Sequence, residues 1–120
     1  MKFIDINSKL LKGSKNDRGY KAINNSLNNI LSINKGSLPG NPEFGSNLSK
    51  YIFELIDPLI TQLIKEEVIS AIKRWEQRIT VNKIDVIEDT DYNRVLIKID
   101  YSIKQDDSIN EEYIYKIIKN

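Results

Sequence analysis

The side chains that do most enzymatic chemistry are scarce in this chain. It has no Cys and no His, which excludes zinc sites built on thiolate or imidazole, Ser-His and Cys-His nucleophiles, and disulfide scaffolds. A Ser-Lys or a carboxylate-only mechanism survives this filter. Glycoside hydrolysis needs two carboxyl groups across a sugar-sized cleft, one with a raised pKa. Glu43, Glu54, Asp57 and Glu76 are candidates, but no spacing singles out a pair, so we expect no catalytic residue, metal or cofactor.

The charge balance and the apolar runs limit the partners. Lys and Arg total 18 against 17 for Asp and Glu, a formal charge of +1 over 120 residues. A general nucleic-acid binder usually carries a clear basic excess, so we expect no nucleic-acid partner. No apolar run approaches the roughly 18 residues of a membrane span, and the first residues lack a signal-peptide core. We expect no membrane partner and a protein made in the cytoplasm.

The first half of the chain shows helical periodicity. Residues 1–18 are polar and aperiodic, which predicts an N-terminal arm. A first helix from Ala22 to about Gly36 is indicated by an apolar stripe at Ile23, Leu27, Ile30 and Leu31. Residues 35–45 hold three Gly and two Pro and predict a loop.

Two further helices follow that loop. Ser46 is a candidate N-cap for a short helix marked by Leu48, Tyr51, Ile52, Leu55 and Ile56. Asp57-Pro58 forms a boundary, because Pro suits the first turn of the next helix. The third helix is the longest, with an apolar stripe formed by Ile60, Leu63, Ile64, Val68, Ala71, Ile72 and Trp75.

After Arg78 the period changes to that of strands. The alternation from Ile79 slips between Val81 and Ile84, which predicts a β-bulge. Residues 88–93 read as a turn, 95–103 as the cleanest strand, 105–110 as a second turn and 113–118 as a last strand. Helices followed by a strand meander predict an α+β fold. We therefore expect one domain over 19–120, with about three helices in 20–76 and a small, mainly antiparallel sheet in 79–118.

Three blocks resemble one protein family. They are residues 30–48, which contain KGSLPGNPEFGSNL, residues 51–58, YIFELIDP, and residues 71–79, AIKRWEQRI, followed by the strand that ends in DYSI at 100–103. Together they resemble the small baseplate wedge subunit, or sheath initiator, of contractile phage tails. Tailocins and type VI secretion systems have relatives of it, and the family has also carried a lysozyme label. The resemblance covers roughly residues 20–104.

Two positions depart from the family pattern. Gln77 stands where the family usually has Pro in a Glu-Pro-Arg block, so the exit from helix to strand is less rigidly fixed. Leu38 stands where the loop often has a charged or basic residue, so a contact made by that charge does not carry over.

The resemblance implies an assembly protein of a phage-tail or tailocin baseplate, assembled in the host cytoplasm. Its expected partners are other wedge proteins, the sheath subunit and tail tube or hub proteins, with six copies in a ring. The residues implied for contact with the wedge core are Pro42, Glu43, Phe44, Gly45, Phe53, Trp75, Glu76 and Arg78. Those implied for strand-edge pairing with the sheath are Val95, Ile97, Lys98, Ile99, Tyr101, Ser102 and Ile103.

Simpler interpretations stand beside these. Phe44 can plug the loop onto the protein's own core, and Trp75 lies on a core stripe. Glu76 and Arg78 can be a solvated pair worth less than about 1 kcal/mol. For the whole chain, the alternatives are a peptidoglycan-cleaving lysozyme and an adaptor unrelated to tails.

Overall fold

The computed structural model describes residues 14–119, except for the side chains of 14–19 and 106–109. Helix α1 spans Ser14–Ser32 and buries the predicted stripe at Ile23, Leu27, Ile30 and Leu31. The predicted arm was too long, because residues 14–18 are helical; residues 1–13 lie outside the described part. Once a helical turn has formed, extending it by one residue costs little free energy, even where polar residues show no apolar periodicity. The helix also ends four residues before Gly36.

The short helix α2 spans Ser49–Ile52, and its predicted N-cap was wrong. Leu48 occupies the N-cap position without a side-chain cap, whereas Ser46 is fully buried. The Ser46 hydroxyl donates to the Leu31 carbonyl (3.2 Å), and its N–H donates to the Ile33 carbonyl (3.0 Å). Ser46 therefore ties the loop to the end of α1 instead of starting a helix.

Helix α3 spans Pro58–Trp75 and begins as predicted. Pro58 lies in the first turn, and the Asp57 side chain accepts a hydrogen bond from the Ile60 N–H (2.8 Å). This cap satisfies one of the amide groups that a helix start leaves unpaired. The buried face consists of Ile64, Val68, Ala71 and Ile72.

Three antiparallel strands form one sheet in the order β1-β2-β3. They are β1 at Ile79–Asp89, β2 at Arg94–Ile103 and β3 at Asp106–Ile118. The register of β1 shifts between Val81 and Lys83, which confirms the predicted bulge. The second turn is shorter than predicted, since β3 already begins at Asp106. Three helices followed by this sheet confirm the α+β fold.

Strand β2 is the central strand, paired with β1 on one side and β3 on the other. The prediction that residues 95–103 lend an open edge to a partner is therefore wrong. In a meander of three strands the middle one has both neighbours next to it in sequence, so its backbone groups are used within the sheet. The open edges belong to β1 and β3.

The core lies between the helices and one face of this sheet. Its central residues are Val95, Ile97, Ile99 and Tyr101, all 0% exposed. The Tyr101 hydroxyl donates to Asn24 Oδ1 of α1 (2.9 Å), and the Tyr113 hydroxyl donates to Asn28 Oδ1 one turn later (3.2 Å). These bonds fix α1 across β2 and β3. Burial raises the pKa of both phenols, that of Tyr113 to about 12, so they remain donors at neutral pH.

Candidate partner-binding surfaces

The corner between α3 and β1 is held by Glu76 and Arg78. Glu76 is 3% exposed, and its two carboxylate oxygens accept from Nε and Nη2 of Arg78, both at 2.7 Å. The Arg78 backbone N–H also donates to Oε2 (3.1 Å). The interpretation of a solvated surface pair is therefore wrong for Glu76, although the Arg78 side chain is 53% exposed.

The electrostatics of this corner favour the ionised carboxylate. Burial alone raises the pKa of Glu76, but hydrogen bonds from Arg78 and Ser26 and the Arg78 charge outweigh it and hold the pKa below its ordinary value. The same pairing raises the pKa of Arg78. Gln77, which replaces the family's Pro, is exposed between them. The bidentate pair links the C-cap of α3 to the residue before β1.

The loop at 41–45 packs onto the end of α3. Glu43 forms an ion pair with Arg74 (3.1 Å), and the Arg74 guanidinium lies 5.0 Å from the centroid of the Trp75 ring. Phe44 meets the same ring edge-on, with centroids 5.1 Å apart. Phe44 is half-buried against the core, which confirms that it plugs the loop onto its own chain.

Gly45 is required by a close backbone approach. It has φ +110°, and a Cβ there would lie 2.1 Å from the Ile33 carbonyl oxygen. The approach is close because the Ser46 N–H bonds to that same carbonyl. Gly45 is buried and shapes the loop, while Pro42 and Glu43 beside it are exposed.

Phe53 does not join the other predicted wedge-facing residues. It is the C-cap of α2 and precedes the start of α3 at Pro58, whereas Trp75 is the last residue of α3. Phe53 is 61% exposed, with Leu55 at 79% and Leu59 at 66% nearby in sequence. Leu55 was assigned to a helical stripe, but α2 ends at Ile52 and leaves it in solvent. Leu59 was not predicted to be an exposed apolar residue. The only indication of it in the sequence is its position one residue after Pro58.

The residues predicted to contact the sheath divide between two faces. Val95, Ile97, Ile99 and Tyr101 are core and cannot meet a partner. Lys98 and Ser102 form contacts within the chain. Ile103 lies half-buried at the end of β2. Lys98 pairs with Glu112 (3.6 Å), and the Ser102 hydroxyl donates to Asn110 Oδ1 (2.8 Å).

The alternation of hydrogen-bonded residues along β3 shows which of its N–H groups face the open edge. The Lys119 N–H donates to the Asn93 carbonyl (2.8 Å), and the pairing continues without a shift through Ile117 and Val95 to Tyr113 and Ile99. Because bonding residues alternate in antiparallel strands, the N–H groups of residues 113, 115 and 117 point to β2. Those of residues 112, 114 and 116 point away from it.

The corresponding alternation along β2 places the N–H of Lys98 toward β1. The Lys104 N–H donates to the Arg78 carbonyl (2.9 Å), so even-numbered residues of β2 bond to β1. A proline at Lys98 or Ser102 would therefore break the internal ladder and would not test an edge.

The two open edges are not equivalent. Strand β1 carries its bulge at Asn82, near the beginning of the strand. A bulge makes a strand edge less suitable for pairing with another chain. Strand β3 pairs with β2 without interruption from Asn110 to Ile118 and contains no Pro or Gly there. The edge of β3 over residues 110–118, here called the β3 edge, is thus the more regular template.

Other kinds of site find no support in the described part. Among the side chains that the structure describes, no group of His, Cys, Asp and Glu is arranged to hold a metal ion. Nor does any described helix have the length and apolar character needed to span a bilayer.

The chain is thus an α+β domain whose helices pack on one face of a three-stranded meander and whose loop at 41–45 contacts the end of α3. The family model described as "Baseplate wedge protein gp25" matches residues 17–108, and the chain belongs to this family. The baseplate wedge protein gp25 of Enterobacteria phage T4 is 35% identical over 85 residues, which cover 71% of this chain and 64% of that protein. The chain thus spans a little under two thirds of the length of this relative.

Solved structures share the fold. A protein described as a tail lysozyme from Geobacter sulfurreducens superposes with a TM-score of 0.78 at 24% identity, over 85% of this chain and 92% of that one. A chain in the baseplate complex of the type VI secretion system gives a TM-score of 0.67 at 11% identity, over 88% and 98%. At these identities the likeness establishes the fold alone.

Proposed function

We propose that the protein is a structural subunit of a contractile-tail baseplate that joins the wedge core to the first sheath layer and initiates sheath assembly by strand-edge pairing. The family and its T4 relative support the baseplate role. The observation that carries the strand-pairing step is the uninterrupted β3 edge, whose outward N–H groups are ready to accept a strand from another chain. Multiple copies in a ring, six by the family resemblance, would let each contact be weak.

The wedge-facing surface comprises exposed residues at both ends of α3. Phe53 presents an apolar side chain, and apolar groups exposed together mark interaction sites. At the other end Glu43 and the half-exposed Arg78 present charge around the latched loop. Trp75, Glu76, Phe44 and Gly45 support this surface from beneath, since all four are buried or half-buried.

Two substitutions separate the proposed surfaces. Lys116→Pro removes one outward N–H from the β3 edge without removing a bond to β2, so the chain should fold and enter the wedge but fail to seed sheath. Phe53→Ser removes an exposed ring, so the chain should fold but enter the wedge about tenfold less well.

Folding is checked by circular dichroism, wedge entry by pull-down, and seeding by electron microscopy of sheath grown on baseplates. Lys116→Ala keeps the N–H and should seed as the wild type does. Sheath of normal length and number on folded Lys116→Pro baseplates would exclude the β3 edge as template. Normal wedge entry of Phe53→Ser would exclude that surface.

The candidate carboxylates do not support the lysozyme alternative. Glu76, the buried candidate, has a lowered pKa because of its Arg78 partner, whereas a general acid needs a raised one. Glu43 is exposed and ion-paired with Arg74. The likeness to a protein described as a tail lysozyme lies in the fold, and a fold does not define an activity.

A further inference from the structure

A small groove lies between the last turns of α3 and the beginning of β1, beside the corner. It has a volume of about 200 Å³, less than the roughly 300–1,000 Å³ of sites for small-molecule ligands. Its apolar wall is formed by Ile69, Ile72, Ile79 and Val81. Ile69 is 37% exposed, although it belongs to a helix whose other isoleucines pack inward. This volume and lining suit one inserted aliphatic side chain.

The rim of the groove is positively charged. Lys73 comes from α3 and Lys104 from the turn between β2 and β3, and both are exposed. Glu76 also lines the groove, but its carboxylate is already bound by Arg78 on both oxygens. The two lysines therefore set the local charge, which favours a negatively charged ligand.

We propose that this groove binds an acidic peptide segment of a partner protein, with one aliphatic side chain inserted against Ile69 and Val81 and the adjoining carboxylates held by Lys73 and Lys104. The Lys104 amide bonds to the Arg78 carbonyl, so the turn that carries one cation is fixed to the corner. The site adds a third contact to the wedge and sheath surfaces and depends on neither.

The test uses the isolated full chain, labelled with ¹⁵N, and three synthetic pentapeptides capped by acetyl and amide groups. The probe is Gly-Leu-Glu-Glu-Gly, and its comparators are Gly-Leu-Lys-Lys-Gly and Gly-Ser-Glu-Glu-Gly. The probe should shift the amide signals of Ile69, Thr80 and Val81 with a Kd of about 1 mM. Each comparator should bind at least tenfold more weakly, because it lacks either the charge or the aliphatic side chain.

Charge reversal gives the decisive comparison. The double variant Lys73→Glu, Lys104→Glu should bind the probe at least tenfold more weakly than the wild type and should prefer Gly-Leu-Lys-Lys-Gly. The matched variant Lys35→Glu, Lys50→Glu makes the same charge change at exposed sites that do not line the groove. It should bind the probe within about twofold of wild type, because salt screens charges at a distance from the peptide. No shifts at the groove, or equal losses in both variants, would overturn the proposal. Either result leaves the sheath-seeding test unaffected.

Discussion

Glu76 shows how a single side chain can join three elements. Gln77, beside it at the helix exit, is exposed. Glu76 binds the backbone N–H and the guanidinium of Arg78 and is hydrogen-bonded by Ser26 of α1. One carboxylate thereby joins α1, the end of α3 and the entry to β1. An ionised group this buried is retained because each oxygen has a charged donor.

The first prediction concerns the pH dependence of this contact. Because the folded-state pKa of Glu76 lies below its ordinary value of 4.5, its stabilising effect is present above the unfolded-state pKa and is lost as pH falls through the folded-state pKa. Glu76→Gln should cost about 1–3 kcal/mol of unfolding free energy at pH 7. The cost should shrink below about pH 4, where the wild-type carboxylate becomes protonated in the unfolded chain.

Urea unfolding followed by Trp75 fluorescence at pH 7 and pH 3 measures both values. Glu54→Gln is the control, since Glu54 is exposed and its loss should cost no more than about 0.5 kcal/mol at either pH. A Glu76→Gln cost that stays constant between the two pH values would contradict the assigned cause.

At the scale of elements, the irregular segment between α1 and α2 is held in shape by backbone hydrogen bonds across its ends and within it. Its ends bond to each other through the Ile33 carbonyl and the Ser46 N–H, and through the Lys35 N–H and the Ser46 carbonyl (3.1 Å). Inside it, the Gly36 N–H bonds to the Pro42 carbonyl (2.7 Å). The loop therefore has a defined shape that presents Phe44 to Trp75, and its glycines differ in what they permit.

Gly45→Ala should unfold or severely destabilise the protein, by at least about 3 kcal/mol, because the new Cβ would overlap the Ile33 carbonyl as well as adopt a positive φ. Gly40→Ala is the matched control. Gly40 also has a positive φ, +85°, but nothing lies within 4 Å of its Cβ position, so its cost should be about 1–2 kcal/mol. Thermal unfolding of the two variants distinguishes the contributions; equal costs would show that the close approach does not matter.

For the whole molecule, one face of the sheet carries the core and the other is wet. The outer face carries ion pairs between neighbouring strands, such as Lys98 with Glu112 (3.6 Å) and Arg94 with Asp89 (2.9 Å). Phe53 lies at the C-cap of α2, whereas the β3 edge lies on the last strand. The two surfaces proposed for the wedge core and the sheath therefore lie on different elements.

We expect no muralytic activity from the purified protein. Its buried candidate acid, Glu76, is paired with Arg78 and has a lowered pKa, whereas protonation of a glycosidic oxygen needs an acid with a raised pKa. A turbidity assay on purified peptidoglycan measures this, with hen-type lysozyme as the positive control. Sustained clearing that disappears in Glu43→Gln or Glu76→Gln would show that the protein is an enzyme.

The sequence by itself determined what depends on local chemistry and periodicity. The 3.6-residue stripes of α1 and α3, the Asp57-Pro58 start and the slip between Val81 and Ile84 each leave a pattern within a few neighbouring residues. They predicted the α+β layout and the bulge correctly. The family blocks identified the family, and the structure brings the first and third of them into contact through Phe44 and Trp75.

Only the tertiary structure decided features that depend on pairing over distance. Strand 95–103 has the same alternation whether it is central or at an edge, because alternation reports burial of one face and not the number of neighbours. Burial of Glu76 depends on α1, 50 residues earlier in the chain, whose Ser26 reaches the carboxylate. Ser46 has the local signature of an N-cap, but its backbone pairs with Ile33 instead. In each case a long-range contact uses a group whose local sequence allows more than one partner.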